Sequence, residues 1–410
     1  MSTLKKKYKI AFVSPRYNCH SSGGAEILCQ KLAENLAQRE HKITVLTTTA
    51  NNPYTWANQL KEKEETINRV KIKRFNVNQS RNIELFLNIQ RKIDKKESIS
   101  EKEEQEWVKN SVVSSGIEKF IQQNINNYDW FIFIPYLFGT TTNNYTICRE
   151  KSLLIPCLHD ENFAYLKFFK KMFNDMPGII FNSKPEKILA QKIYNIPEEK
   201  SSVVGSIVDE HRKSEEENFK KKYRINFPYL LYIGRKEGGK NIPLLLNYFR
   251  TYKDNNNNNL KLLFLGTGNL PLKFKDTNYI IDLGFIPEKD KLNAIAAATL
   301  ICQPSLNESF SIVIMEAWLQ KKPVLVHKDC AVTNYHCLQS NGGLYFKDYY
   351  EFEECVNYII SNSLIANLMG QNGKKYTETN YNADTILEKF ETALEKFALQ
   401  RSEDQFIKIS

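Results

Sequence analysis

Two glutamates, Glu308 and Glu316, lie eight residues apart in CQPSLNESFSIVIMEAWLQKKPVLV, residues 302–326. The apolar pattern predicts a helix over 309–320 with Asn307 as its N-cap, followed by a short buried strand. Eight helical residues turn through about 800°, so both carboxylates would lie on roughly the same side of the helix. They would be about 12 Å apart along its axis, which is too far for two carboxylates that flank one bond. Because a helix N-terminus favours anions, we expect a long ligand here, with a sugar near Glu308, phosphates over the first turn and a ribose near Glu316.

A pair of cations follows another predicted strand. In YLLYIGRKEGGKN, residues 229–241, Arg235 and Lys240 leave the strand with Gly238 and Gly239 between them. Two cations at a strand end suit a diphosphate, because they neutralise charge that is costly to hold in a crevice. Solvated loop cations are the plain alternative, just as solvated helix charges are the plain alternative for the two glutamates.

The N-terminal half supplies further candidates. A first strand is followed by a loop with Gly23 and Gly24 and by a helix over 25–38, which is the opening of a nucleotide-binding βαβ unit. The two glycines would let the backbone approach a ligand, unless they only serve a turn. The stretch LLIPCLHD, residues 153–160, predicts a strand that ends in His159. This position would face the ligand crevice, although a structural histidine is the alternative.

These residues together resemble the retaining GT-B glycosyltransferases of glycosyltransferase family 4. The resemblance rests on the Glu-x7-Glu spacing, on the Arg and Lys spacing and on the stretches around Asn182-Ser183, Gly284-Phe285-Ile286-Pro287 and Gly342-Gly343. It covers most of the chain. Ser311 departs from the family pattern. The residue after this phenylalanine is usually glycine in the family, and the backbone at this position normally approaches the donor sugar.

The resemblance implies roles for individual residues. The residues implied to act in catalysis are Glu308, His159, Arg235 and Lys240. The residues implied to bind the donor are Gly23, Gly24, Arg235, Lys240, Gly266, Phe285, Ile286, Ser309, Phe310, Ser311, Ile312 and Glu316. No metal and no cofactor are expected, since the nucleotide diphosphate sugar is itself the donor substrate.

The resemblance also implies the architecture, which is α/β with the GT-B arrangement of two Rossmann-like domains facing across a cleft. We expect an N-terminal acceptor-side domain over 1–205, with a C-terminal helix over 383–400 that packs back on it, and a nucleotide-sugar domain over 206–382. The implied activity is retaining, metal-independent hexosyl transfer to a hydroxyl of a glycan or lipid-linked acceptor, in surface polysaccharide or glycoconjugate synthesis.

Two other functions are weighed against this one. The first is a catalytically silent glycosyltransferase-like binding subunit, which Ser311 and the irregular segment 84–127 motivate. The second is a nicotinamide oxidoreductase, which is weakened because Pro271 takes the third position of the pattern that begins at Gly266 and Gly268. The chain contains no Asp-x-Asp motif, which argues against the metal-dependent glycosyltransferase architecture.

Composition sets outer bounds on these interpretations. The 410 residues carry a formal charge of +10, and the basic residues are scattered without a nucleic-acid motif, so no nucleic-acid partner is expected. The charge is either a bland feature of a Lys-rich composition or an attraction to anionic lipid. The eight cysteines form no C-x-x-C pair and are interpreted as reduced, mostly buried thiols. We therefore expect a cytoplasmic protein, with peripheral contact at the inner face of the membrane as the variant.

Overall fold

The computed structural model of the chain describes residues 6–17, 23–52, 54–79, 81–209, 214–274 and 277–409. The chain divides into two compact units, of which the first comprises Met1–Ile207 and Ile386–Ser410 and the second Val208–Thr385. The predicted boundary at 205/206 lies two residues from this division. The C-terminal helix, predicted over 383–400, belongs to the first unit from Ile386 onward.

An eight-stranded sheet forms the centre of the first unit. Its strands are β1 Lys9–Val13, β2 Lys42–Thr48, β3 Glu64–Ile67, β4 Val70–Phe75, β5 Trp130–Phe133, β6 Ser152–Leu154, β7 Gly178–Phe181 and β8 Ser201–Val203. Their order is β3-β4-β2-β1-β5-β6-β7-β8, and every neighbouring pair is parallel except β3 with β4. The winding direction reverses beside β1, where open α/β sheets bind their ligands.

Within the described residues, seven α-helices of the first unit precede Val208. They are α1 Gly24–Gln38, α2 Ile83–Asp94, α3 Glu101–Lys109, α4 Ser115–Asn124, α5 Gly139–Thr142, α6 Lys167–Asp175 and α7 Lys184–Tyr194. Helix α1 buries Leu28, Leu32 and Leu36, whose spacing of four places them on one face. Ser183 caps α7 by accepting from the backbone N–H of Glu186.

The charge-mixed segment after β4 differs from expectation. The sequence predicts one exposed helical stretch, whereas the structure has two helices, α2 and α3, separated by a loop. Ser100 begins α3 with a capping box, in which its side chain and that of Glu103 exchange hydrogen bonds with each other's backbone N–H. Trp107 is 3% exposed and stacks on Phe86 at 5.5 Å, so this segment contributes to the core.

The second unit has a six-stranded sheet in which every strand is parallel to its neighbours. Its strands are β9 Tyr229–Ile233, β10 Lys261–Leu265, β11 Ile280–Asp282, β12 Leu300–Gln303, β13 Val324–His327 and β14 Gly343–Phe346, in the order β11-β10-β9-β12-β13-β14. The winding reverses between β9 and β12. The carboxyl ends of these two strands therefore flank the place where such a sheet binds a ligand.

Helices cover both faces of this sheet, which is why its strands read as continuous apolar runs. They are α8 Glu216–Tyr223, α9 Ile242–Asn255, α10 Glu288–Ala297, α11 Ile312–Leu319, α12 Ala331–Ser340, α13 Tyr349–Ser361 and α14 Ser363–Asn380. Helix α11 packs closely on α14, since a Cβ at Gly373 would lie 2.1 Å from Cδ1 of Trp318. A last helix, α15 Ala383–Ile409, ends the described chain.

Two general features bear on the expectations above. The seven cysteines that the structure describes are all free thiols, five of them buried, and Cys19 lies outside the described residues. Within the described part of the chain, no helix is both long enough and apolar enough to cross a membrane.

Candidate functional site

The loops at the carboxyl ends of β9 and β12 are joined by a direct ion pair. Lys240 follows β9, Glu308 follows β12, and Nζ of Lys240 donates to Oε1 of Glu308 at 2.7 Å. The two side chains are 24% and 14% exposed. Asn241 adds a second link, because its Nδ2 donates to the carbonyl of Pro304 at 3.1 Å. Two residues predicted from separate motifs thus meet at the switch point of the sheet.

Arg235, the other predicted cation, lies at the same sheet edge in a more open position. Its side chain is 54% exposed, and Nη1 lies 3.4 Å from Oε1 and 3.3 Å from Oε2 of Glu237. The backbone carbonyl of Arg235 accepts from the buried Tyr232 hydroxyl at 2.9 Å, which fixes the start of the loop. The guanidinium therefore has freedom to reach a ligand, and Glu237 competes for it.

A buried lysine that sequence reasoning missed lies next to Arg235. The side chain of Lys236 is fully buried, and Nζ donates to the carbonyl of Gly266 at 2.6 Å and to Oδ1 of Asp282 at 2.8 Å. The same Asp282 oxygen accepts from the backbone N–H of Gly284 at 2.9 Å. Lys236 therefore ties together the loops that follow β9, β10 and β11.

The predicted donor residue Gly266 has a structural reason to be glycine. Its φ is +122°, and a Cβ at this position would lie 2.1 Å from the carbonyl oxygen of Gly234. No other residue would let these two loops approach so closely. Farther along this edge, Phe285 is 68% exposed while Ile286 is buried. The ring of Phe285 is therefore available to a flat ligand group.

Glu316 lies on α11 and has a lysine partner that the sequence did not reveal. Nζ of Lys291, on α10, donates to Oε1 of Glu316 at 2.9 Å and lies 3.0 Å from Oε1 of Glu288. Burial lowers the pKa of Lys291, but the two carboxylates outweigh that effect and raise the pKa overall. Oε2 of Glu316 is buried and has no hydrogen-bond partner among the described residues. A buried carboxylate oxygen without a donor is a place for a ligand hydroxyl.

The segment between β12 and α11 corrects the predicted geometry of the two glutamates. Helix α11 begins at Ile312 with Ser311 as its N-cap, so Asn307 is not the N-cap and Glu308 precedes the helix. The helical spacing of 800° and 12 Å therefore does not apply. The sequence favoured Asn307 because asparagine caps well, but the chain continues through an extended loop to Ser311.

Ser311 adopts the conformation that glycine would supply. Its φ and ψ are +67° and +75°, in the left-handed region, and its side chain forms no capping hydrogen bond. The preceding Phe310 is buried and packs edge-to-face on Tyr381 at 4.9 Å and on His336 at 5.4 Å. The backbone from Ser309 to Ile312 is thus held from behind by an aromatic cluster, and the departure from glycine leaves its left-handed turn in place.

In the first unit, Gly23 and Gly24 lie at the switch point beside β1. Gly23 is the N-cap of α1, and a Cβ there would lie 1.9 Å from Oε2 of Glu26, whose carboxylate folds back over the loop. Glu26 also accepts from Nε of Arg16 at 2.9 Å. A Cβ at Gly24 would meet no atom within 4 Å. A side chain at Gly24 would therefore meet open space, and one at Gly23 would require the carboxylate of Glu26 to move.

His159 does not end a strand, which corrects the prediction. Strand β6 ends at Leu154, and His159 lies in the following loop with Nδ1 3.8 Å from Oε1 of Glu161. Glu186 fixes the backbone of this loop, because its carboxylate accepts from the backbone N–H of Leu158 at 2.7 Å. Burial raises the pKa of Glu186 to about 8, against which its hydrogen bonds act. Sequence reasoning missed Glu186, although its place in the first turn after the Ser183 cap could have pointed to it.

The described residues offer no clear metal centre. In the described ranges, no group of three or more His, Cys, Asp and Glu side chains lies close enough to share a metal ion. The charges at the C-terminal edge of the second sheet are instead arranged as lysine–carboxylate pairs.

Part of the chain matches a known protein family. Residues 213–376 match the family described as glycosyl transferases group 1. A search of curated protein sequences gave no significant match.

Solved structures resemble the chain over nearly its whole length. Sucrose-phosphate synthase from Thermosynechococcus elongatus is 16% identical with a TM-score of 0.71, covering 98% of this chain and 100% of the other. Anabaena Alr3699/HepE in complex with UDP and glucose is 15% identical with a TM-score of 0.70, covering 95% and 99%. WaaG, a glycosyltransferase involved in lipopolysaccharide biosynthesis, is 16% identical with a TM-score of 0.63, covering 94% and 98%. The two Rossmann-like units of this chain therefore have the GT-B fold of these glycosyltransferases, and residues 213–376 are similar to the glycosyl transferases group 1 family.

Proposed function

We propose that this protein transfers a hexosyl group from a nucleoside diphosphate sugar to a hydroxyl of a glycan or lipid-linked acceptor, with retention of anomeric configuration and without a metal ion. One observation carries the proposal. The predicted sugar and phosphate contacts, Glu308 and Lys240, meet at the switch point of the second sheet, while Glu316 on the neighbouring helix keeps a buried oxygen without a donor.

The departing diphosphate is stabilised by fixed cations in this proposal. Lys240 has three N–H donors and uses one on Glu308, so its other donors remain for a phosphate oxygen. Arg235 is exposed enough to reach the same group. The first N–H groups of α11, which begins at Ile312, add the positive end of a helix. Such preorganised donors stabilise the charge that develops as the bond to the leaving phosphate breaks.

The nucleoside is held by the residues around α10 and α11. Lys291 fixes Oε1 of Glu316, which leaves Oε2 to accept from a ribose hydroxyl. The exposed ring of Phe285 offers a surface for the base. UDP is the first nucleotide to test, because a solved structure with this fold carries UDP and glucose.

The transfer step itself exchanges two bonds at the anomeric carbon. The acceptor hydroxyl oxygen bonds to that carbon, the carbon–oxygen bond to the diphosphate breaks, and the hydroxyl proton passes to the leaving phosphate oxygen. In this proposal Glu308 holds the sugar during the exchange, and the family resemblance gives His159 a role on the reacting side of the sugar. We also propose a role in surface polysaccharide or glycoconjugate synthesis, in the cytoplasm or at the inner membrane face, and we note that WaaG, which has the same fold, is involved in lipopolysaccharide biosynthesis.

A thermal-stability screen against UDP, GDP, ADP and their sugars tests the donor site, since a ligand that binds only the native state raises the Tm. Turnover is then measured with the stabilising donor sugar, and the anomeric configuration of the product is read by NMR. Arg235→Ala and Lys240→Ala should each lower turnover by about 10²–10³. Lys261→Ala is the matched control, because Lys261 begins β10 at the opposite edge of the same sheet.

The outcomes separate the proposal from the silent binding subunit. Nucleotide binding with neither hydrolysis nor transfer of any donor sugar would favour the silent subunit. Inverted product would refute retention, and normal turnover by both alanine variants would remove the diphosphate site.

A further inference from the structure

Four lysines of the first unit line one cavity of about 250 Å³. Strands β1 and β2 begin at Lys9 and Lys42, so the cavity lies at the N-terminal edge of the sheet. Gly23 and Gly24 follow the opposite, C-terminal edge. The residues that line the cavity are Lys9, Lys42, Thr44, Lys71, Lys73, Phe120, Asn124, Asn127 and Tyr128.

Strand register brings these lysines together on one face. Lys9 is the direct partner of Lys42 across β1 and β2, and Thr44 is the partner of Lys71 across β2 and β4. Because alternate residues of a strand share a face, Lys73 joins Lys71 on that side. Like charges at partnered positions destabilise a sheet, so the Lys9–Lys42 pairing has an energetic cost unless an anion offsets it.

Only two of these four lysines form ion pairs with described carboxylates, and both pair with the same residue. Glu64, on the edge strand β3, forms ion pairs with both Lys71 and Lys73. No described carboxylate forms an ion pair with the ammonium of Lys9 or Lys42. The nearby Asp129 accepts from the backbone N–H of Lys9 at 2.7 Å. Its negative charge also favours the charged form of Arg401, so it is shared with a second cation.

The rest of the cavity wall combines polar and aromatic groups. The Tyr128 hydroxyl donates to Oγ1 of Thr44 at 3.1 Å, and the ammonium of Lys73 lies 5.0 Å from the centre of the Phe120 ring. Asn124 and Asn127 add amide groups that can donate to an oxyanion. Several converging donors around an excess of positive charge are what a phosphate group requires.

We propose that this cavity binds an anionic phosphate group, either that of free diphosphate or that of the head group of an anionic lipid. The site is separate from the donor site of the proposed function and independent of it. Lys9 and Lys42 are the residues that contact the anion, with Lys71 and Lys73 supporting them from the Glu64 side.

Inorganic pyrophosphate is the first probe, measured by titration calorimetry. The background is the Arg235→Ala, Lys240→Ala double variant, so that binding at the proposed donor site does not contribute. This background should bind pyrophosphate, and adding Lys9→Gln and Lys42→Gln should weaken the affinity by about tenfold or more for each ammonium that contacts the ion. Lys102→Gln with Lys170→Gln is the matched control, since both are exposed lysines of the first unit without an ion pair in the described structure.

Vesicles distinguish the two sources of phosphate. Co-sedimentation with phosphatidylglycerol-containing vesicles, but not with phosphatidylcholine alone, assigns a lipid head group if Lys9→Gln and Lys42→Gln abolish it. Pyrophosphate binding without vesicle binding assigns a soluble diphosphate. Binding of neither probe, or binding that survives the Lys9 and Lys42 substitutions, overturns the proposal.

The same variant tests the like-charge argument without ligand. Removing both ammoniums should leave the Tm of the unliganded protein unchanged or raise it. A lower Tm than that of the control variant would show that the lysines support the fold itself, which would contradict the proposal.

Discussion

Ser311 provides the sharpest test of the backbone geometry at the donor site. Its φ of +67° and ψ of +75° are unfavourable for a residue with a Cβ, and ψ lies beyond the usual left-handed range. Its hydroxyl caps no helix N–H, so the side chain gives little in return. We therefore predict that Ser311→Gly stabilises the protein, although most substitutions to glycine destabilise.

The magnitude follows from two opposing terms. A left-handed conformation costs a residue other than glycine about 1–2 kcal/mol. Glycine loses more chain entropy on folding, by about 0.5–1 kcal/mol. The free energy of unfolding should therefore rise by about 0.5–1 kcal/mol, which in a unit the size of Val208–Thr385 is about 2 °C in Tm.

The assay is thermal unfolding of three variants beside the parent protein. Ser311→Ala removes the hydroxyl without relieving the backbone, so it should not raise the Tm. Ser363→Gly places glycine at the exposed start of α14, which has no positive φ, and should lower the Tm. A Tm of Ser311→Gly at or below that of the parent would refute the strain argument.

Turnover of the same variant tests the functional side. If the backbone from Ser309 to Ile312 already follows the path that glycine would give, Ser311→Gly should change turnover by no more than about twofold. A tenfold loss would show instead that the Ser311 hydroxyl takes part in the reaction.

Three further predictions concern charged side chains of the second unit. Glu308→Gln should lower the chemical step more than nucleotide affinity, whereas Glu316→Gln should mainly weaken binding of donor and bare nucleotide alike; equal effects on nucleotide affinity would contradict the assignment. Lys291→Met should lower the free energy of unfolding, and so the Tm, by about 1–3 kcal/mol and weaken nucleotide binding by a similar free energy, since it leaves Glu316 without its partner. Lys289→Met, at an exposed position, should change neither quantity. Burial lowers the pKa of His336 to about 3, so its contribution to stability is complete above about pH 6.5, and the free energy of unfolding falls on acidification by about 1.4 kcal/mol per pH unit. In denaturant titrations between about pH 6 and 4, His336→Phe should reduce this loss. An unchanged dependence of the free energy of unfolding on pH would refute the prediction.

The sequence predicts the regular elements well where burial is complete on both faces. The strand predicted before Arg235 is an example, because YLLYI is a continuous apolar run and forms β9, Tyr229–Ile233. The edge strand β3 was missed, because EETI is mostly exposed and carries two glutamates. The strand before His159 was predicted too long, since LLIPCL is apolar throughout but leaves the sheet after Leu154.

The site was predictable only as far as its motifs are local. The spacing of Arg235 and Lys240 can be read in one loop, and Gly266 is recognisable as a loop glycine. The partners of these residues cannot be read in this way. Lys236 meets Asp282 across 46 residues and Lys291 meets Glu316 across 25, and both contacts depend on strand order rather than on periodicity.

The lysine partners of Glu316 and Glu308 affect how each carboxylate can bind a ligand. Lys291 occupies one carboxylate oxygen of Glu316, and the other is buried without a donor, so a ribose hydroxyl would reach it only after neighbouring groups move aside. Glu308 is different, since the ammonium that it contacts is the one proposed to hold the leaving diphosphate. As negative charge develops on that diphosphate, Lys240 is drawn toward it, and Glu308 becomes a stronger acceptor for the hydroxyls of the sugar. The Lys240–Glu308 pair would thus couple departure of the phosphate to stabilisation of the sugar, which is why substituting either residue should slow transfer more than it weakens binding.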